Sequence, residues 1–393
     1  MRTNVVIVGG GPSGLLLSQL LHLQGIKSIV LEHRSRDHVL GRIRAGVLEQ
    51  GTVDLLIKAG MGDQIARHGA VHPTVGIAHE NEWHHIPIAE LTDGKTVTVF
   101  GQTEVTKGLY AIRDAVGGQT FHNVEDVDIN GIDSDTPSVS FRIDKELVQV
   151  DCDFVAGCDG FHGVSRSAMP ADLRQEHHLQ YPFGWLGVMS ETPPVADEVV
   201  YIHHADGFAL CSMRSPELSR YYIQVPASET IGEWSDDRFW ETLKHRMPSE
   251  LSANLVTGKS IEKSIAPLRA FVYGRLSWNR LFLAGDAGHI VPPTGAKGLN
   301  LAFSDVHYLS TALTRFYRQQ DETALQRYSD IALRRVWGTV RFSLQCTRML
   351  HRFPQQTAFE NQIQLSELAH LTGNSSASRV FAECYVGLPF DPI

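Results

Sequence analysis

A glycine-rich turn between an apolar strand and an apolar helix constrains this chain most. Residues 4–8 are Asn-Val-Val-Ile-Val, a β-branched run of the kind buried on both faces of a parallel sheet. Gly9, Gly11 and Gly14 follow as GxGxxG. Residues 13–24 then carry Leu15, Leu16, Leu17, Leu20, Leu21 and Leu23 at helical spacing, and Gly25 ends the helix. Residues 28–32 are a second strand, so the unit is one βαβ with a right-handed crossover. The first glycine permits the tight turn, the second lets backbone approach a pyrophosphate, and the third lets helix and strand pack closely. Phosphate would sit on the positive end of the helix dipole. Glu32 ends the second strand, where a carboxylate can accept hydrogen bonds from a ribose diol. A lone GxGxxG can be a plain turn; strand, helix and acid together favour a dinucleotide.

Composition narrows the class further. The chain has 393 residues, 42% apolar and 20% charged, which suits two or three globular units and excludes disorder and coiled coil. Lys and Arg number 35 against 44 Asp and Glu, a net charge of −9, so nucleic acid is an unfavoured partner. An anionic substrate would need a local Arg cluster against that background. The five cysteines, Cys152, Cys158, Cys211, Cys346 and Cys384, form no CxxC. They imply a reduced, cytoplasmic chain with no disulfide framework and no zinc-ligand spacing. The apolar start is interrupted at Gly9, so neither a signal peptide nor a membrane span is expected.

Along the chain, residues 41–69 look helical, with Arg42 and Arg44 near the start. Residues 96–150 suggest short strands, and 152–156 a buried strand ending at Gly157-Cys158-Asp159-Gly160. Residues 198–226 alternate as an antiparallel meander with turns at 205–207 and 215–219. A helix at 236–247, a buried strand at 281–284, and long helices at 299–319 and 322–350 follow. The expected class is α/β (α+β). The expected domains are a Rossmann-like nucleotide-binding part at 1–175, an inserted antiparallel β-rich substrate part at 176–267, a completing part with a long helix at 268–348, and a helical C-terminal region at 349–393.

Two later acids extend the nucleotide site. Asp159 and Asp286 each lie at a Gly-containing turn just after an apolar strand, where a carboxylate can reach a ribityl or phosphate-linked hydroxyl. The loop 289–300 then carries Pro292, Pro293, Gly295 and Gly298 before a helix opening at Leu299-Asn300. Its free amides can stabilise negative charge on a flat ligand. In the meander, Ser212 and Arg214 share one face; Arg220, Tyr222 and Gln224 share a face on the next strand; Tyr201 lies one strand earlier. Guanidinium, hydroxyl and phenol suit a carboxylate. Alternation alone favours a solvated sheet face, the commoner fate of Arg and Ser.

GxGxxG near the start, DG mid-chain and GD late form the pattern of the aromatic-ring hydroxylase group of FAD-dependent monooxygenases, which this sequence resembles over nearly its whole length. The strings GRIRAGVLEQ at 41–50, YPFGWLG at 181–187, KSIAPLR at 263–269 and YVGLP at 385–389 carry the resemblance. It implies FAD held by Gly9, Gly11, Ser13, Gly14, Glu32, Arg42, Arg44, Gln102, Asp159, Asp286, Leu299 and Asn300. It implies a substrate carboxylate held by Ser212, Arg214 and Tyr222, a ring lined by the Pro293 backbone, and a phenol oxygen bonded by Tyr201. Tyr385 would bond Tyr201, and His72 would end a proton relay. The implied reaction converts 4-hydroxybenzoate to 3,4-dihydroxybenzoate with NAD(P)H and O₂ through a flavin C4a-hydroperoxide, in a homodimer. Another hydroxy- or aminobenzoate remains an alternative substrate.

The resemblance also implies that His162 and Arg269 contact the nicotinamide cosubstrate. Arg34 and Arg36, in a basic turn after Glu32, favour the extra phosphate of NADPH, with NADH still possible. The missing CxxC speaks against a flavin disulfide reductase.

Overall fold

The computed structural model describes residues 1–41 and 46–393. The opening βαβ unit forms as its sequence requires. Strand Val5–Val8 is wholly buried and lies between two parallel neighbours, Ser28–Leu31 and Phe154–Gly157. The full sheet runs Ser277–Trp278, Leu281–Leu283, Phe154–Gly157, Val5–Val8, Ser28–Leu31, Thr120–Phe121, and only the first of these is antiparallel. Helix Pro12–Leu23 buries Leu15, Leu16, Leu17, Leu20 and Leu21. Gly25 closes it at φ +69°, and its N–H reaches the His22 carbonyl at 2.8 Å.

The stretch 96–150 departs from expectation. It holds strands at Val97–Val99, Thr120–Phe121, Glu125–Asn130, Ser138–Ile143 and Glu146–Asp151, but also a 14-residue helix, Gln102–Ala115. That helix buries Val105, Leu109 and Tyr110 and packs on helix Pro12–Leu23. Its Val, Thr and Gly content conceals it. Gly108 is there for close approach: a Cβ would lie 2.4 Å from Met61 Cε. Tertiary contact overrides propensity at this helix.

The second large sheet has eight strands: His289–Ile290, Ser260–Tyr273, Glu176–Ser190, Leu218–Pro226, Ala209–Ser215, Val200–Ile202, Val75–His79 and Glu82–Ile86. All pair antiparallel except Val200–Ile202 with Val75–His79. The meander therefore forms at its expected place and is extended on both sides. Strand Ser260–Tyr273 crosses residue 267, and two strands from the first 100 residues complete the far edge. Helix Asp236–Arg246 covers one face through Phe239, Trp240 and Leu243. Helices Gly298–Gln319 and Thr323–Leu350 pair with each other, and Ala358–Gly373 and Ser375–Val386 form the C-terminal region. Among the described residues, no helix is long and apolar enough to cross a membrane.

Candidate active site

The glycine turn has no slack. Gly9 sits at φ +113°, and a Cβ there would lie 2.2 Å from the Cys158 carbonyl oxygen. A Cβ on Gly14 would lie 2.0 Å from the Gly9 carbonyl oxygen. Gly11, by contrast, faces open space with nothing within 4 Å of a Cβ. Two glycines thus build the turn, and the third leaves a cradle for a phosphate at the amino end of helix Pro12–Leu23. Ser13 opens that helix, and a Cβ on Gly285 would lie 3.0 Å from its Oγ, so the early and late turns meet.

The acids divide. Glu32 is buried; its carboxylate accepts from the Gly10 N–H and the Arg34 N–H, each at 2.8 Å. It therefore braces the loop as well as lying where a ribose would sit. Asp159 accepts from the Ser165 N–H at 2.8 Å, while its other oxygen is buried without a partner and remains for a hydroxyl donor. Burial pushes this carboxyl upward. Asp286 is exposed on the turn Gly285–Ala287. Gln102 begins its helix and accepts from the Thr106 hydroxyl through its carbonyl. Arg42 and Arg44 lie outside the described residues.

Asn300 is committed elsewhere. Its side chain accepts from the Glu49 N–H at 2.9 Å and donates to the Val47 and Ala296 carbonyls. Only its backbone amide, with that of Leu299, is free to meet a flavin at the start of helix Gly298–Gln319. The residues present fit FAD: an open glycine cradle, an unpartnered buried carboxylate oxygen and an uncapped helix amino end converge on one surface.

The substrate residues converge as alternation requires. Leu210 pairs with Tyr201 on one side and Tyr222 on the other, so the three share a face with Ser212. The Arg214 guanidinium donates to Ser212 Oγ at 3.2 Å and lies within hydrogen-bond reach of the Tyr222 hydroxyl. Burial lowers its pKa, with Tyr222 opposing. Among the described residues no carboxylate forms an ion pair with it. Arg220, also on this face, has its charge paired by Glu262 at 2.7 Å and donates to Ser264 at 3.1 Å. Gln224 is committed to the Arg352 backbone and the Phe208 N–H.

Tyr201 and Tyr385 are both buried, with their hydroxyls 3.2 Å apart. Burial raises both phenols, so each stays protonated near neutrality. His72 is buried too, but neither ring nitrogen has a partner among the described residues, so no protein bond joins it to Tyr385. Desolvation lowers its pKa against the pull of Asp197. Pro293 is exposed in the loop, and its carbonyl accepts from the Ala296 N–H at 2.9 Å.

At the expected nicotinamide site, Arg269 lies 4.0 Å over the Phe161 ring, and His162 adjoins the same ring at 5.0 Å. Arg34 is exposed, whereas Arg36 is tied to Asp114 at 2.6 Å and lies over Tyr110.

Sequence reasoning passed over three groups. Lys297 is buried and donates to Glu49 at 2.7 Å and to the Tyr385 carbonyl at 2.8 Å. Asp305 accepts from the Gly285 N–H at 2.9 Å and binds His289 at 2.6 Å. Burial pulls His289 down, but Asp305 outweighs it and leaves the imidazole raised. His351 accepts from the Trp185 indole N–H at 2.7 Å, so its Nδ1 carries the proton toward the Thr347 carbonyl. It stacks between Phe183 and Phe208, and Trp185 in turn packs on Tyr222 at 5.3 Å. No motif announces these contacts, because each joins segments distant in sequence.

Comparison with known proteins agrees with this geometry. A family model described as FAD binding domain matches residues 2–343. The p-hydroxybenzoate hydroxylase of Acinetobacter baylyi is 50% identical over 391 residues, spanning 100% of this chain and 96% of that one. The rifampicin monooxygenase of Rhodococcus hoagii is 26% identical over 79% of this chain and 64% of its own length. Among solved structures, p-nitrophenol 4-monooxygenase PnpA from Pseudomonas putida DLL-E4 superposes with a TM-score of 0.81 at 20% identity, covering 99% of each chain.

Two outcomes follow from the packing. Gly14→Ala should fold yet fail to retain FAD, as read from flavin absorbance after gel filtration; full retention would mean the loop has slack. For His351, burial pushes the imidazole down to about 3. Between that value and about 6.5 the unfolded chain binds the extra proton, so stability falls as pH drops through this window. His351→Gln should lose less unfolding free energy than the parent between pH 7 and pH 5. An equal loss would place the acid sensitivity in other lowered histidines, such as His72 and His203.

Proposed function

This chain belongs to the FAD-binding aromatic hydroxylases, and from that premise we propose that it hydroxylates 4-hydroxybenzoate to 3,4-dihydroxybenzoate with NAD(P)H and O₂. It is an FAD-dependent monooxygenase. The observation that carries the substrate is Arg214: a half-buried guanidinium flanked by two hydroxyls, with no carboxylate paired to it among the described residues. A benzoate carboxylate supplies the missing charge and accepts a planar fork of hydrogen bonds. Two strand spacings of roughly 4.8 Å separate Tyr222 from Tyr201 across the same face. That gap holds one benzene ring with a hydrogen bond at each end.

Bound FAD, reduced by a nicotinamide, supplies the activated oxygen. The chain's residues prepare the ring for it. Tyr201 bonds the substrate's phenolic oxygen and favours its ionised form, which makes the ring electron-rich. Its own proton passes to Tyr385, since each hydroxyl both donates and accepts. His72, buried and with both ring nitrogens unpartnered among the described residues, takes the outer end of this path as a neutral base. Pro293 and its neighbours line the ring and keep water away. His162 and Arg269 face the nicotinamide; Arg34, exposed and without an ion pair among the described residues, is the cation offered to a 2′-phosphate, which favours NADPH over NADH. Family resemblance supports a homodimer, and the free cysteines support a cytoplasmic setting.

The direct test is flavin-dependent NADPH oxidation with product analysis across 4-hydroxy-, 3-hydroxy- and 4-aminobenzoate. Coupled product from the first acid alone is expected; preference for another would reassign the substrate. Tyr201→Phe should still bind substrate and oxidise NADPH, but release peroxide in place of most product. Undiminished product would remove Tyr201 from the proton path. Arg214→Lys should weaken 4-hydroxybenzoate binding by about tenfold or more, because a point charge replaces the fork. Equal affinity in a flavin-fluorescence titration would locate the carboxylate elsewhere.

A further inference from the structure

We propose that His204, Asp206 and His245 form a divalent transition-metal site, suited to zinc, on the surface of the substrate sheet and apart from the flavin and benzoate residues. One ring nitrogen from each histidine and one carboxylate oxygen of Asp206 all lie within 4.8 Å of one another. His245 Nε2 is 2.9 Å from Asp206 Oδ2, and His204 Nδ1 is 3.7 Å from the same oxygen. One carboxylate oxygen thus faces two imidazoles, whose rings stand 4.9 Å apart at 70°. Two imidazoles and a carboxylate are a borderline donor set of the kind zinc takes, with water completing the tetrahedron.

The ligands come from two elements that are independently held. His204 and Asp206 sit in the turn after strand Val200–Ile202, which Gly207 closes at φ +117° with its N–H on the His204 carbonyl at 3.0 Å. His245 is in the last turn of helix Asp236–Arg246. The adjacent Arg246 is buried and donates to the Phe208 and Gln224 carbonyls, each at 2.9 Å, which clamps the helix end over the turn. Little rearrangement is then needed to bring the three donors onto one ion; the modest cost is the Asp206 N–H bond to His204 Nδ1 at 3.1 Å. His204 and His245 also line a cleft of about 290 Å³ with His79, Glu80 and Asn81, which gives an ion and its water an entry path.

The ion would staple the turn to the helix, three residues beyond Tyr201. Zinc binds the folded chain and not the separated donors, so it should raise the unfolding temperature. The test uses the FAD-loaded enzyme, stripped with chelator and titrated with zinc alone by calorimetry. One zinc per chain, with a rise in Tm, is expected for the parent. His245→Gln and the double variant His204→Gln/His245→Gln should keep the parent's flavin spectrum and metal-free Tm, while losing the saturable binding and the zinc-dependent rise. Cobalt(II) in place of zinc should give a visible d–d band in the parent that the double variant lacks. Unchanged zinc affinity in the double variant, or no saturable binding by the parent, would overturn the assignment. Should the double variant misfold, the single variant and the parent's cobalt spectrum still decide it, since nitrogen ligation absent from that spectrum also overturns it.

Discussion

Three stretches of backbone meet where no side chain would fit, and the rest of the molecule is arranged around that meeting. Gly9 presses on the Cys158 carbonyl, Gly14 on Gly9, and Gly285 on Ser13. Short backbone bonds lock the strands beneath: Gly9 N to Leu31 O at 2.7 Å, Cys158 N to Val8 O at 2.7 Å, Ala284 N to Gly157 O at 2.9 Å. The turn that carries Asp286 leads, after one residue, into strand His289–Ile290. That strand pairs with Phe271 and Val272 at the edge of the eight-stranded sheet. Nucleotide turn and substrate sheet are therefore joined by continuous backbone, and the relative position of cofactor and substrate does not depend on a flexible linker.

Cations held wholly or partly out of water bear on which ligand this geometry accepts. Removing a guanidinium or ammonium from water is costly unless an opposite charge accompanies it. Arg220 has Glu262, and Lys297 has Glu49. Arg214 has hydroxyls but no ion-pair partner among the described residues, in a chain whose net charge is −9. The acidic surplus makes this local absence more telling, since carboxylates are plentiful elsewhere. A site so arranged is completed by a small anion, and the adjoining aromatic wall of Trp185, Tyr222 and Phe208 suits that anion's ring.

Much of this was legible in the sequence because it rests on local rules. The glycine spacing, the acid ending the second strand and period-two alternation in the meander each impose geometry within a few residues, and the structure obeys them at Gly9, Gly14, Glu32 and Ser212, while Arg214 reaches Ser212 from a break in register between Met213 and Ser215. Helix Gln102–Ala115 was illegible because Gly108 and β-branched residues argue against a helix locally, while the packing against Met61 that favours it is long-range. The role of the Asn300 side chain was hidden for the same reason. A motif puts Asn300 at a helix start, but only the fold reveals that its amide group is tied to Val47, Glu49 and Ala296. Lys297, Asp305 and His351 have no spacing signature at all, since their partners arrive from elsewhere in the chain.

Lys297 joins the two halves of the chemistry. It precedes helix Gly298–Gln319, whose first amides face the cofactor surface, and its ammonium also holds the Tyr385 carbonyl. Tyr385 belongs to helix Ser375–Val386, whereas Tyr201 belongs to the sheet, so their 3.2 Å contact depends on how that helix docks. The docking is set by Lys297 and by Phe381, whose ring meets Phe342 of helix Thr323–Leu350 at 5.6 Å. The ion pair of Lys297 with Glu49 thus ties together the start of helix Gly298–Gln319 and the last turn of the helix that carries Tyr385. Breaking that pair would leave a buried charge without its partner and release the Tyr385 backbone, so the contact between the two phenols rests on an interaction remote from both in sequence.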